Sequence, residues 1–209
     1  YIELNNVSFA YPGGFLAVDG VSIAIEKGEN VAIVGQNGAG KTTTVKLMNA
    51  LHYPTGGDVV IDGKSTKGRT TAQVSRTVGY VFQNPDDQIF HSTVLAEVEF
   101  GPRMMKLPDE KVKELVDYAL KITGMKRFRE ENPYNLPLSV RKFVTIAAII
   151  AMDCDVMILD EPTAGQDYAG NRRLSRILRE LGEKGKTLIT ISHDMVFVAD
   201  NFSRVIVMS

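Results

Sequence analysis

Cysteine is almost missing from this chain. Cys154 is the single one among 209 residues, which excludes an internal disulfide and any cysteine-built metal site. Flanked by Asp153 and Asp155 and just ahead of an apolar run, it reads as a small packed residue. An excess of charge of either sign is missing too: 24 Lys plus Arg against 25 Asp plus Glu leave a net charge of −1. A dedicated DNA or RNA binder carries a basic face, so no nucleic-acid partner is expected. The longest apolar runs, such as Val144 to Met152, fall well short of the roughly 20 residues that span a bilayer. The opening Tyr1-Ile2-Glu3-Leu4 lacks the basic start and apolar stretch of a signal peptide. Repeats, low-complexity tracts and long linkers are absent as well. With 44% hydrophobic and 23% charged residues, the chain is expected to form one soluble domain that meets a membrane only through a partner.

What is present is a set of short β-branched runs: Ser22–Ile25, Val31–Val34, Val59–Ile61, Val78–Phe82, Val156–Leu159, Leu188–Ile191 and Val205–Met208. Those ahead of Gly35, Gln83, Asp160 and Ser192 are nearly all apolar, the pattern of strands buried on both faces of a parallel sheet. Alternating runs near the start, with Gly-rich turns, predict an antiparallel sheet. Helices are expected over Lys41 to Leu51, Asp109 to Ile122 and Tyr168 to Leu181. Residues 84–150 hold five of the eight prolines and little strand signal. They read as a helical subdomain inserted into an α/β core formed by residues 1–83 and 151–209.

Gly35-Gln36-Asn37-Gly38-Ala39-Gly40-Lys41-Thr42 fits the phosphate-loop pattern G-x-x-x-x-G-K-[ST], with a buried strand before it and a helix after it. Glycines there let backbone N–H groups close on phosphate oxygens, and the helix start adds its positive dipole end. Lys41 is expected between the β- and γ-phosphates, the Thr42 hydroxyl on Mg²⁺, and Thr43 as a further phosphate donor. Val156-Met157-Ile158-Leu159 runs into Asp160-Glu161. If its strand neighbours the phosphate-loop strand, Asp160 holds Mg²⁺ through water and Glu161 polarises a water for in-line attack.

With these two motifs in hand, the chain resembles the ATP-binding-cassette (ABC) ATPases over essentially its whole length. Asp160-Glu161-Pro162-Thr163-Ala164-Gly165-Gln166-Asp167 is similar to that family's Walker B running into its D-loop. Gln83, 42 residues after Lys41, matches the Q-loop glutamine; His193, in Ile191-Ser192-His193-Asp194, matches the switch histidine. Tyr11, in Phe9-Ala10-Tyr11-Pro12, matches the aromatic residue that stacks on adenine. The resemblance implies a P-loop NTPase (RecA-like) α/β core with an N-terminal antiparallel β-subdomain and an inserted helical subdomain. It also implies ATP and Mg²⁺ as ligands, Gln83 on the metal or the attacking water, and His193 on the γ-phosphate. His52 and His91 have no such context and read as structural.

More narrowly, Tyr80 to Phe90 (YVFQNPDDQIF) resembles the ATPase subunits of energy-coupling-factor importers of vitamins and transition-metal ions. In that family this stretch lies near the groove that receives a coupling helix from a membrane subunit. The implied setting is the cytoplasmic face of the membrane, reached through partner subunits. The signature segment departs from Leu-Ser-Gly-Gly-Gln. Aligned back from Asp160 without gaps, Pro137 replaces the serine, and Leu138 and Ser139 the glycines. A two-residue slip keeps Leu138-Ser139 but puts Val140 and Arg141 in the glycine places, and Arg141 or Lys142 becomes a candidate compensating charge. In that family the segment serves the ATP of an opposing subunit, so the resemblance implies a heterodimer with a second cassette bearing an intact signature. Two other readings stand beside the transport ATPase. One is a nucleotide-dependent regulatory or binding subunit with little turnover. The other is a soluble ABC protein of DNA repair or translation, disfavoured because only 119 residues (160 − 41) separate Lys41 from Asp160.

Overall fold

The computed structural model describes every residue from Tyr1 to Ser209. Strands β1 (Ile2–Ala10) and β2 (Leu16–Ile25) form a hairpin, followed by β3 (Asn30–Gly35) and helix α1 (Lys41–Met48). Next come β4 (Gly56–Ile61), the two-residue β5 (Lys64–Ser65), the single-turn α2 (Thr71–Val74) and β6 (Val78–Val81). Three helices follow with no strand among them: α3 (Val94–Met104), α4 (Asp109–Thr123) and α5 (Leu138–Ala151). The chain finishes with β7 (Val156–Asp160), α6 (Tyr168–Glu183), β8 (Thr187–Ile191), α7 (Met195–Asn201) and β9 (Arg204–Met208).

The strands make two sheets, an antiparallel one in the order β2-β1-β4-β5 and an all-parallel one in the order β6-β7-β8-β3-β9. In β1, Ile2, Leu4, Val7 and Phe9 turn inward. The step of three between Leu4 and Val7 is a register shift, next to Asn6 at φ 50°. Every residue of β6, β7 and β8 is buried. Their side chains alternate between two cores, as the period of two requires. Val31, Ile33, Val156, Ile158 and Ile189 face the antiparallel sheet and α1, whereas Ala32, Val34, Met157, Leu159 and Leu188 face the helices of the other side.

Helix α1 ends at Met48, three residues before the expected Leu51, because Ala50 takes φ 57° and the His52 amide turns back to the Lys46 carbonyl at 3.0 Å. The strand expected to reach Phe82 stops at Val81, where the Phe82 amide leaves the ladder for Gln88 Oε1 at 3.2 Å. The sheet order corrects one expectation directly. β7 is not a neighbour of β3; β8 lies between them. The distance of two strand spacings is roughly 10 Å, and the two sides nevertheless meet at Thr42, the second residue of α1, whose Oγ1 lies 3.4 Å from Asp160 Oδ1.

Candidate functional site

Three strand ends therefore meet in a row: β3 delivers the phosphate loop, β8 delivers His193, and β7 delivers Asp160 and Glu161. Two glycines of the loop are demanded by close backbone approach. A Cβ on Gly35 would run into the Met208 carbonyl, and one on Gly40, at φ 81°, into the Ala17 carbonyl. Gly40 hands directly into α1, whose first residue is Lys41. Lys41 is 7% exposed, with Nζ 2.8 Å from both the Gly35 and Gln36 carbonyls. The ammonium is thus held over the loop, at the mouth of a cleft of about 620 Å³ that Asn37, Gly38, Gly40, Thr42 and Thr43 also line. Gly35 and Ala39 complete the loop without lining it.

Asp160 is 3% exposed. Its Oδ1 lies 3.4 Å from Thr42 Oγ1, and its Oδ2 accepts a hydrogen bond from the Tyr80 hydroxyl at 2.7 Å. Glu161 follows at φ 48°, a left-handed backbone unusual for this residue type, and this turn aims its carboxylate into the cleft. The His193 amide donates to Glu161 Oε2 at 3.3 Å, and His193 Nε2 lies 3.2 Å from Oε1 without the alignment of a hydrogen bond. Oε1 is consequently a buried acceptor with no donor. Burial raises the Glu161 carboxyl above the usual range, against the opposing pull of His193. A basic, under-satisfied carboxylate oxygen suits accepting a proton from water. Lys41, Thr42 and Asp160 side by side suit a polyphosphate with a hard divalent ion.

Gln83 is exposed, lines the same cleft and makes no hydrogen bond of its own. Tyr11 lines it from β1's end, its hydroxyl 3.1 Å from Thr43 Oγ1 and its ring edge-on to Phe9 and His52. His52 stacks on Phe9 with centroids 4.9 Å apart. His91 is held by the buried Glu97 at 3.1 Å. The assigned nucleotide-site residues thus line one cleft or the loop beside it, except Asp160, which lies buried behind Thr42.

The signature segment differs. α5 begins at Leu138 with Pro137 as its N-cap and no side-chain cap. Arg141 does not supply a free compensating charge. Its guanidinium is tied to Asp86 at 2.5 Å and to the carbonyls of Pro133, Tyr134 and Leu136. Nor does Lys142. It is 3% exposed, and its Nζ is fixed at 3.0 Å to the carbonyls of Glu161 and Ala164. Burial pushes the Lys142 pKa down, with Glu161 and Asp160 opposing. Both cations are consumed by the fold, so neither alignment restores a phosphate-facing charge.

Residues 18–164 match the ABC transporter family. The chain belongs to this family of ATPases. An energy-coupling factor transporter ATP-binding protein of Methanocaldococcus jannaschii is 42% identical over 99% of this ABC cassette and 75% of its own length. An ABC relative from Caldanaerobacter subterraneus is 43% identical over 99% of the chain, which is only 36% of that protein's length. The cassette thus spans about a third of one relative and three quarters of another. Among solved structures, cbiO1 of Clostridium perfringens, part of the ABC transporter complex cbiONQ, superposes with a TM-score of 0.89 at 34% identity, covering 100% of this chain and 84% of that one. A dimeric ATP-binding cassette in a post-hydrolysis state, bound to ADP and Pi, gives 0.89 at 27% identity, covering 100% and 94%. ATP and Mg²⁺ are this ABC ATPase's ligands, and the donor set above fits both.

Sequence reasoning passed over Phe15 and Tyr80, and it took Lys142 for a compensating charge rather than the buried tie to the Glu161 and Ala164 carbonyls that it is. Phe15 is an exposed aromatic at the cleft wall, 67% accessible. Tyr80 carried a signal: a phenol in an otherwise apolar, fully buried strand needs a partner. Lys142 carried one too, as a lysine opening an apolar helix run.

Proposed function

We propose that this ABC cassette is the ATP-hydrolysing subunit of a membrane transporter of energy-coupling-factor type, working opposite a second, non-identical cassette. The observation that carries hydrolysis is Glu161 Oε1, buried without a donor beside His193 in the cleft of the phosphate loop. Lys41 and the loop amides hold the β- and γ-phosphates. Thr42, Gln83 and Asp160 would hold Mg²⁺, which would supply positive charge against the phosphate oxygens. Glu161 takes a proton from water as the water oxygen bonds to the γ-phosphorus and the bond from that phosphorus to the ADP oxygen breaks. His193 steadies that carboxylate and reaches the γ-phosphate. Tyr11 offers its ring to adenine.

The energy-coupling-factor assignment is supported by relatives of that name and by an exposed aromatic surface after Gln83. Phe90 and Phe100 pack edge to face with centroids 4.8 Å apart, His91 beside them, and Phe90 is 61% exposed. An apolar helix of a membrane subunit suits that surface. In this reading the cassette docks at the cytoplasmic face of the membrane, and vitamins or metal ions are the cargo of that transporter class. The start of α5 supports the heterodimer. Pro137 gives no N–H, Leu138 crowds the helix start, and Arg141 and Lys142 are already committed. Those same features favour, as a second reading, a nucleotide-binding regulatory subunit with little turnover.

Glu161→Gln separates the two. In the assembled transporter we expect turnover to fall by about 10²–10⁴, the usual contribution of a general base, while ATP stays bound. Unchanged turnover would remove Glu161 from the chemistry and favour the regulatory reading.

A further inference from the structure

The Asp160 carboxylate is one of the most buried anions in the protein, at 3% exposed, and no lysine, arginine or histidine lies within ion-pair distance of it. Unpaired buried charge is costly unless hydrogen bonds replace the lost water. Here Oδ2 has one donor, the Tyr80 phenol at 2.7 Å, and Oδ1 is left toward Thr42. The geometry is built into the sheet. β6 and β7 pair in parallel with Tyr80 opposite Ile158, and the period of two returns Asp160 to the face that Tyr80 occupies. Tyr80 is 5% exposed, and Phe82 packs edge-on against its ring with centroids 4.9 Å apart. The phenol can therefore neither swing away nor be replaced by bulk water.

We propose that Tyr80 is a positioning residue for the metal: by occupying Oδ2 of Asp160 it leaves Oδ1 as the one oxygen turned toward Thr42 and the Mg²⁺ site. This rests on Asp160 serving the metal. Partners that orient a metal-binding carboxylate from behind are worth 10–100-fold in metal affinity when removed. With Tyr80→Phe, Oδ2 loses its donor and the carboxylate is free to rotate away from Thr42. The phosphate loop, held by Lys41 and the backbone, is left intact.

The test is Mn²⁺ titration followed by electron paramagnetic resonance on the purified chain with a non-hydrolysable ATP analogue, beside analogue binding in EDTA. Tyr80→Phe is expected to weaken Mn²⁺ by roughly 10–100-fold and to leave metal-free nucleotide binding unchanged. Wild-type Mn²⁺ affinity in Tyr80→Phe overturns the proposal. An equal loss of metal-free nucleotide binding also overturns it, since Tyr80 would then only support the loop. Asp160→Asn tells the two layers apart: if it too leaves Mn²⁺ affinity unchanged, the assignment of Asp160 fails rather than that of Tyr80. Should Tyr80→Phe not fold, 3-fluorotyrosine at position 80 keeps the ring's shape and strengthens the donor. A shift in Mn²⁺ affinity then supports the role, and none overturns it.

Discussion

Two helix N-termini in this chain face phosphate chemistry, and they are built in opposite ways. The start of α1 follows a loop with glycine where the backbone must close, and it keeps Lys41 at the mouth of the cleft. The start of α5 follows Pro137, opens on Leu138, and has its two cations, Arg141 and Lys142, bound to carbonyls and to Asp86. In the proposed assembly the first serves this chain's own nucleotide and the second its partner's. Lys41 is also bonded to two carbonyls, those of Gly35 and Gln36, but it lines the cleft, whereas Lys142 does not. A helix dipole alone does not make a phosphate site: close backbone N–H groups and a cation facing the cleft do. The contrast implies a subunit that keeps its own hydrolytic machinery and contributes weakly to the opposite site.

The sharpest way to break the contrast is to disable the good end. Lys41→Ala removes a charged donor worth about 1.5–3 kcal/mol, so ATP affinity is expected to fall roughly 10- to 150-fold, read by fluorescent-nucleotide titration. A change under twofold would place the phosphates elsewhere.

Much of this site was legible because its parts are local. Gly35 to Thr42 and Asp160-Glu161 each need only one strand end and the turn after it. Any fold that makes those strands parallel brings them together. The insertion of β8 between β7 and β3 was not legible, because it needs the β3–β8 pairing, whose partners such as Asn30 and Leu188 lie far apart in sequence, although β7 and β8 are near neighbours in the chain. The commitment of Arg141 was invisible for the same reason: Asp86 lies 55 residues away in sequence, and an arginine near a signature motif looks free until its neighbours are known. Tyr80 is an intermediate case. Its strand was read correctly, but the partner that explains its hydroxyl is 80 residues downstream.

Repairing the weak end sharpens the contrast further. In a Glu161→Gln background with Mg²⁺-ATP, the chain alone is expected to stay monomeric by light scattering. Adding P137S, L138G and S139G restores an N–H and two close approaches, and a homodimer is expected to appear. One recovered charged hydrogen bond is worth about tenfold in the dimer constant. Dimerisation of Glu161→Gln without the repair means that the α5 start already works, and the asymmetry between the two ends is lost.

The smallest effect concerns what the good end costs the fold. Burial raises the Glu161 carboxyl above its unfolded value, so the folded state holds that proton more tightly. Stability attributable to this group is therefore present at low pH and is lost as pH rises through the raised value. Glutamine carries no charge to desolvate. The pairing it forfeits is with His193, whose side chain is 52% exposed, and an exposed pair of this kind is worth about 0–1 kcal/mol. Glu161→Gln is accordingly expected to melt with the wild type near pH 4 and a few degrees above it at pH 8. The left-handed backbone at φ 48° is common to both and drops out of the difference. A gap that instead narrows or reverses with rising pH would mean that the His193 contact outweighs desolvation. The catalytic turn would then stabilise the fold rather than strain it, and the two helix ends would differ in chemistry alone.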